Sequence, residues 1–144
     1  MLKFNQDKVR KLTSEILEAV KRLEDFKKLS KEDFLSDPHK IGSAKYNFIV
    51  AIQSMIDLCN HIIAKNGYRT PEDYADTFRV LVENGVFDEE YTDTLIQMVR
   101  FRNRLVHIYW DVSDDEIYRI LQTRLQDIQD FLRKFGEFLK KNSA

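Results

Sequence analysis

Between residues 102 and 110 the chain reads Arg102-Asn103-Arg104-Leu105-Val106-His107-Ile108-Tyr109-Trp110, a cluster of cationic, titratable and aromatic side chains inside an otherwise helical, apolar-periodic segment. A guanidinium is a permanently charged fork suited to phosphate, and an imidazole can both take and give a proton near neutral pH. Together they suggest phosphodiester chemistry. Cutting RNA without a metal ion needs a base for the 2′-OH proton, an acid for the leaving 5′-oxygen and fixed positive charge for the crowded phosphorane. His107 can serve as base or acid. Arg102 can clasp two non-bridging oxygens, and Asn103 can orient the phosphate or the imidazole. The product would be a 2′,3′-cyclic phosphate.

At 100° per residue, Arg102 and His107 stand about 140° apart around a regular helix, so they share one face only if the helix loosens or the long arginine bends back. A two-fold dimer that sets this helix against its mate would bring two arginines and two histidines into one cleft, with one histidine as base and its twin as acid. Tyr109 follows Arg102 by two helical turns and shares its face. Arg100 and Arg104 extend the basic strip and either guide RNA or balance the dipole at the helix C-terminus.

The order Arg-Asn-x-x-x-His-x-Tyr near the end of a long helix, carried here by Arg102, Asn103, His107 and Tyr109 with Trp110 after them, resembles the signature of the HEPN superfamily. Within it the pattern is similar to the HepT toxins of type VII HepT/MntA toxin–antitoxin modules, and chain length and helical pattern extend the likeness over essentially the whole chain. The resemblance implies a homodimeric, metal-independent endoribonuclease with the motif at the subunit interface, Arg102 and His107 catalytic and Asn103 assisting. It also implies that a cognate MntA-like nucleotidyltransferase attaches AMP to Tyr109, and an anionic nucleotide there would compete with RNA phosphate for the arginine. Two other readings stay open. One is a non-catalytic HEPN module that holds nucleotide or RNA, or serves a nucleotidyltransferase as its accessory helical domain. The other is a helical interaction protein in which Arg102 forms a structural salt bridge, His107 is a surface histidine and Tyr109 and Trp110 wedge the helix end against the core.

Composition narrows the classes. At 144 residues the chain is expected to form a single domain over residues 1–144, with 43% hydrophobic residues to fill a core and only four Gly and two Pro among 33% charged residues, a balance that favours long helices. A net charge of −1 gives no global attraction to nucleic acid, so RNA must be met by a local basic patch. No Walker loop, Gly-x-Gly-x-x-Gly, Cys-x-x-Cys or Glu-x-x-His repeat occurs, so no cofactor or metal is expected. Cys59 reads as a buried small hydrophobe. No apolar run approaches the roughly 20 residues of a membrane span, and the N-terminus lacks a signal peptide's apolar centre, which reads as a cytoplasmic protein.

The elements that must position the motif follow from caps and periodicity. Val9, Leu12, Ile16, Val20 and Leu23 recur at steps of three and four and predict a first helix over about residues 5 to 29. Ser30 starts a short helix, and Asp37-Pro38 starts a long, widely apolar one that runs to Lys65 and ends at Asn66-Gly67. Thr70-Pro71-Glu72-Asp73 predicts a restart that Asn84-Gly85 closes. Asp88 is expected to cap the motif-bearing fifth helix. Ser113 and Glu116 form a capping box for one last helix through Phe135, with a frayed tail from Lys140 to Ala144. His39, just after Asp37-Pro38, and His61, four residues after Asp57, read as local hydrogen-bonding groups rather than ligands. The sum is an all-α, up-and-down bundle of five to six helices.

Overall fold

In the computed structural model, which describes residues 1–107 and 111–142, seven α-helices follow one another: α1 (Gln6–Lys27), α2 (Lys31–Leu35), α3 (Pro38–Lys65), α4 (Tyr74–Glu83), α5 (Thr92–His107), α6 (Asp114–Thr123) and α7 (Leu125–Asn142). No strand occurs among the described residues. Local chemistry explains the starts. The side chains of Asn5, Ser30 and Asp37 accept the backbone N–H of Lys8, Asp33 and His39 at 3.0, 3.1 and 2.9 Å, each satisfying a donor that the first helical turn leaves unpaired. Gly67 and Gly85 take φ of 66° and 77° just past α3 and α4, the left-handed turn that closes a helix and that a side chain would strain.

Four boundaries depart from the sequence expectation. The fourth helix begins at Tyr74, not at Pro71, because Asp73 rather than Thr70 is the cap: its carboxylate accepts the Asp76 N–H at 2.7 Å, while the Glu72 N–H goes to Asp76 Oδ2. Asp88 makes no side-chain cap bond. It precedes a single 3₁₀ turn, Glu89–Tyr91, from which α5 continues. The expected last helix is two, broken at Arg124, whose φ and ψ are −121° and −4°. Apolar spacing could not reveal that break, since Leu121, Leu125 and Ile128 keep helical intervals across it and all three are buried. Half of the expected capping box forms: Ser113 Oγ accepts the Glu116 N–H at 3.2 Å, but the Glu116 carboxylate is taken by Arg104. Lys140, Lys141 and Asn142 are helical rather than frayed, and the Asn142 carbonyl accepts the Leu2 N–H at 3.3 Å; Ser143 and Ala144 lie outside the described residues.

Helix α3 is the axis of the bundle. Fifteen of its 28 residues are buried, and α1, α2, α4, α5, α6 and α7 all pack on it. It is the helix among the described residues long and apolar enough to cross a membrane, and 67% of its most apolar window is buried inside the bundle, which accounts for that apolarity as core. Helix α1 lies antiparallel along it, with Asn5 beside His61 and Glu15 beside Ser54. Phe131 gathers Phe78, Phe87 and Phe135 at ring-centroid distances of 5.5 to 6.4 Å, joining α4 and α7. Cys59 is fully buried, and burial pushes its thiol well above the ordinary range, which makes it a small core hydrophobe.

His61 is buried, and its partner is distant in sequence rather than Asp57, which instead bonds Gln53. Its Nε2 accepts the Asn5 N–H at 2.8 Å and so ties the start of α1 to α3. Burial lowers its pKa from 6.5, and the charges of Lys8 and Lys65 lower it further. The unfolded chain therefore takes up a proton more readily than the folded one, so this contribution to stability is complete above pH 6.5 and is lost as the pH falls below it. Unfolding in urea is expected to become easier between pH 7.5 and pH 5. His61→Gln, which keeps an acceptor and cannot titrate, should flatten that dependence, and an unchanged slope in the variant would exclude His61 as its source.

Candidate active site

The rotation of α5 is set by its buried stripe of Leu95, Met98, Val99 and Leu105, which turns Arg102, Asn103 and His107 away from the core. The α5 residues Val99, Arg100, Arg102, Asn103 and His107 line one side of a shallow, open depression of ≈ 350 Å³ whose other side is Asp73, Tyr74 and Ala75 from the start of α4. Asn103 and His107, one turn apart, share a face. Arg102 joins them because its side chain bends: Nη1 donates to Asn103 Oδ1 at 3.0 Å, and its guanidinium carbon stands 5.2 Å from the centroid of the Tyr74 ring. Arg102 and His107 thus border one depression despite the angular separation of their positions.

Three arginines near this surface meet different fates. Arg104 is bound by Asp111 at 2.9 Å and by Glu116 at 2.7 Å, and these hydrogen bonds, Glu116 first, raise its pKa and neutralise its charge. Arg69 grips Asp76 at 2.7 Å and Glu83 at 2.8 Å; its bonds hold the Asp76 carboxyl at about 2. That clasp fixes the first turn of α4, and with it Asp73 and Tyr74. Arg102 has no carboxylate partner among the described residues, and its Nε is buried without a hydrogen bond. A cation held by an amide and an aromatic face keeps its full charge and its remaining N–H groups for an anion.

His107 is exposed at the last turn of α5, and the depression holds a single imidazole. Arg100 is exposed and borders the same depression. Tyr109, with Ile108 and Trp110, lies outside the described residues. Sequence reasoning missed Tyr74: it stands 28 positions from Arg102, and only the tertiary pairing of α4 with α5 brings the two together. An exposed tyrosine in the first turn after an aspartate cap was the one available signal. Chemically, the depression offers a free guanidinium, an orienting amide and one proton-transfer group, a set that can bind a phosphodiester and move one of the two protons its cleavage requires.

Residues 16–135 match the family model described as ribonuclease HepT-like. The chain is 30% identical over 80 residues to the mRNA nuclease HepT of Shewanella oneidensis, covering 56% of this chain and 60% of that protein. It is 24% identical over 120 residues to the tRNA nuclease HepT of Aphanizomenon flos-aquae, covering 81% of this chain and 80% of the relative. The same fold is found in the tri-AMPylated HEPN toxin of Shewanella oneidensis, solved in complex with MNT antitoxin, with a TM-score of 0.83 and 24% identity over 92% of this chain and 99% of that one. At that identity the likeness establishes the shared all-α fold.

Tyr74 braces the guanidinium through its ring rather than its hydroxyl. Tyr74→Ala is therefore expected to weaken binding of a single-stranded oligoribonucleotide by about two- to fivefold, the worth of one exposed cation–π contact, while Tyr74→Phe keeps it. Fluorescence anisotropy with a labelled oligomer reads the difference, and equal affinity for all three proteins would remove Tyr74 from the site.

Proposed function

The chain belongs to the ribonuclease HepT-like family, and on that premise we propose that it is an endoribonuclease toxin that cuts RNA without a metal ion at a cleft shared by two copies of α5. The observation that carries this reading is the Arg102 guanidinium, unpaired with any carboxylate among the described residues and held by Asn103 and Tyr74 on the same depression as His107. Two phosphate oxygens take the place of the absent carboxylate. Arg102 stabilises the charge that builds on the phosphorane, and Asn103 keeps the guanidinium bent toward the histidine. One His107 removes the 2′-OH proton as the oxygen attacks phosphorus; the bond to the 5′-oxygen breaks, and a second imidazole delivers the proton to that leaving group. The products are a 2′,3′-cyclic phosphate and a free 5′-hydroxyl.

A single depression holds one imidazole, so the second comes from a two-fold mate. Val106, beside His107 and 41% exposed, is the apolar group on this helix that such a mate would cover. Arg100 is the guiding cation, while Arg104, already paired with Asp111 and Glu116, holds the end of α5 to α6 and faces RNA from there. Control by a cognate MntA-like nucleotidyltransferase falls on Tyr109, where transferred AMP places phosphate and base against the arginine and excludes substrate.

Incubated with total RNA in EDTA, the wild-type protein is expected to cut, and His107→Ala to lose about a hundredfold or more of the rate. Metal-dependent cutting, an active His107→Ala or full activity in a strictly monomeric preparation would each refute a part of this reading, and binding without cutting would turn it into that of a non-catalytic module. Tyr109→Phe should cut as well as wild type and escape inhibition by the nucleotidyltransferase with ATP; loss of activity in that assay would move the modification elsewhere.

A further inference from the structure

On the other side of Arg100 from the motif lies a second, better enclosed cleft of ≈ 270 Å³ between α3, α5, α6 and α7. Its floor is apolar: Phe48 and Ile52 of α3, Phe101 of α5, and Ile120 and Ile128 of the last two helices. Phe101 is half-buried, its ring edge-on to Phe48 at 5.3 Å. The walls carry Arg100, Arg104, Arg119 and Arg124 against one acid, Glu116, a strongly cationic lining in a chain whose net charge is −1. Arg104 and Arg124 are committed, the first to Asp111 and Glu116 and the second to Gln97 and Asp127. Arg100 and Arg119 are exposed and have no partner among the described residues. Apolar floor, committed arginines as walls and free arginines at the mouth ask for a ligand that is flat and apolar at one end and anionic at the other.

We infer that this cleft receives the base of the nucleotide adjoining the cut phosphate, with Arg100 and Arg119 holding the phosphates on either side of that base. The inference rests on the ribonuclease reading of the neighbouring depression and adds to it where the strand runs and what it must be. Arg100 borders both cavities, so a strand whose scissile phosphate lies on Arg102 crosses Arg100 and meets the cleft with its next nucleotide. The size agrees: the cleft falls just under the roughly 300 Å³ at which pockets for drug-sized molecules begin, and one ring system fits where a whole ligand does not. A base must be unpaired and unstacked to enter, so the substrate is single-stranded RNA, gripped by the combination of apolar platform and positive groove that single-strand binders share.

The test separates this binding from catalysis by using His107→Ala full-length protein, which retains the cleft. A labelled single-stranded RNA octamer and a set of the same octamer with one abasic position moved along the strand are titrated by anisotropy. Loss of the base is expected to weaken binding about tenfold, and Arg119→Glu in the same background should weaken binding of the intact octamer by at least as much, with Arg119→Lys restoring most of it. Arg119 is exposed and unpaired, so the melting curve of each variant should overlay the parent. Equal affinity for intact and abasic octamers, or unchanged affinity in Arg119→Glu, overturns the proposal. So does a loss of self-association without a loss of RNA binding, which would make the cleft a protein interface. If wild type fails to cut RNA while these binding differences stand, the catalytic reading falls and the base cleft does not.

Discussion

Burial of α3 is the constraint from which the rest of the structure follows. A 28-residue helix that is apolar around most of its surface has to be covered on several sides, and in a chain of this length six further helices supply the cover. Each covering helix then has one committed stripe and one free face. For α5 the committed stripe ends with Leu105, and the free face is where Arg102, Asn103 and His107 emerge. The position of the motif is thus a by-product of core packing.

Charge is then sorted by where the carboxylates fall. Asp111 and Glu116, beyond the end of α5, reach back to Arg104; Asp76 in the first turn of α4 and Glu83 at its last residue take Arg69. Both arginines become mechanical parts. Arg102 instead receives a tyrosine face and an amide and keeps its charge. The neutralised pairs hold the ends of α4 and α5 in place, and that order is what lets a single unneutralised cation be aimed. Surface pairs of this kind contribute little to stability by themselves, so their value lies in geometry.

Much of this could be read from the residues alone, and the reasons are local. The caps at Ser30, Asp37 and Ser113 work through bonds to a backbone N–H two or three positions away, which is why helix starts were visible. The all-helical class and the buried stripes follow from spacing, as did the place of the motif near the end of α5. What failed was tertiary in origin. The break at Arg124 is invisible to periodicity because apolar intervals run straight through it. The start of α4 moved to Tyr74 because Asp73 rather than Thr70 caps it, while Arg69 holds Asp76 in its first turn. Arg100 and Arg104 read alike along the chain, as a basic strip beside the motif arginine, and only Asp111 and Glu116 from beyond the helix tell them apart by taking Arg104; Tyr74 entered the site in the same way.

Two of the anchors described above release at very different acidities. The Arg69–Asp76 clasp persists until the medium is acid enough to protonate a carboxyl held at about 2, whereas the contribution of the imidazole that secures the first residues of α1 begins to fall once the pH drops below 6.5. Acidification therefore dismantles the molecule in stages. The edge around Asn5 is the first to lose amide-exchange protection, while α4, the floor beneath the guanidinium, still keeps its own.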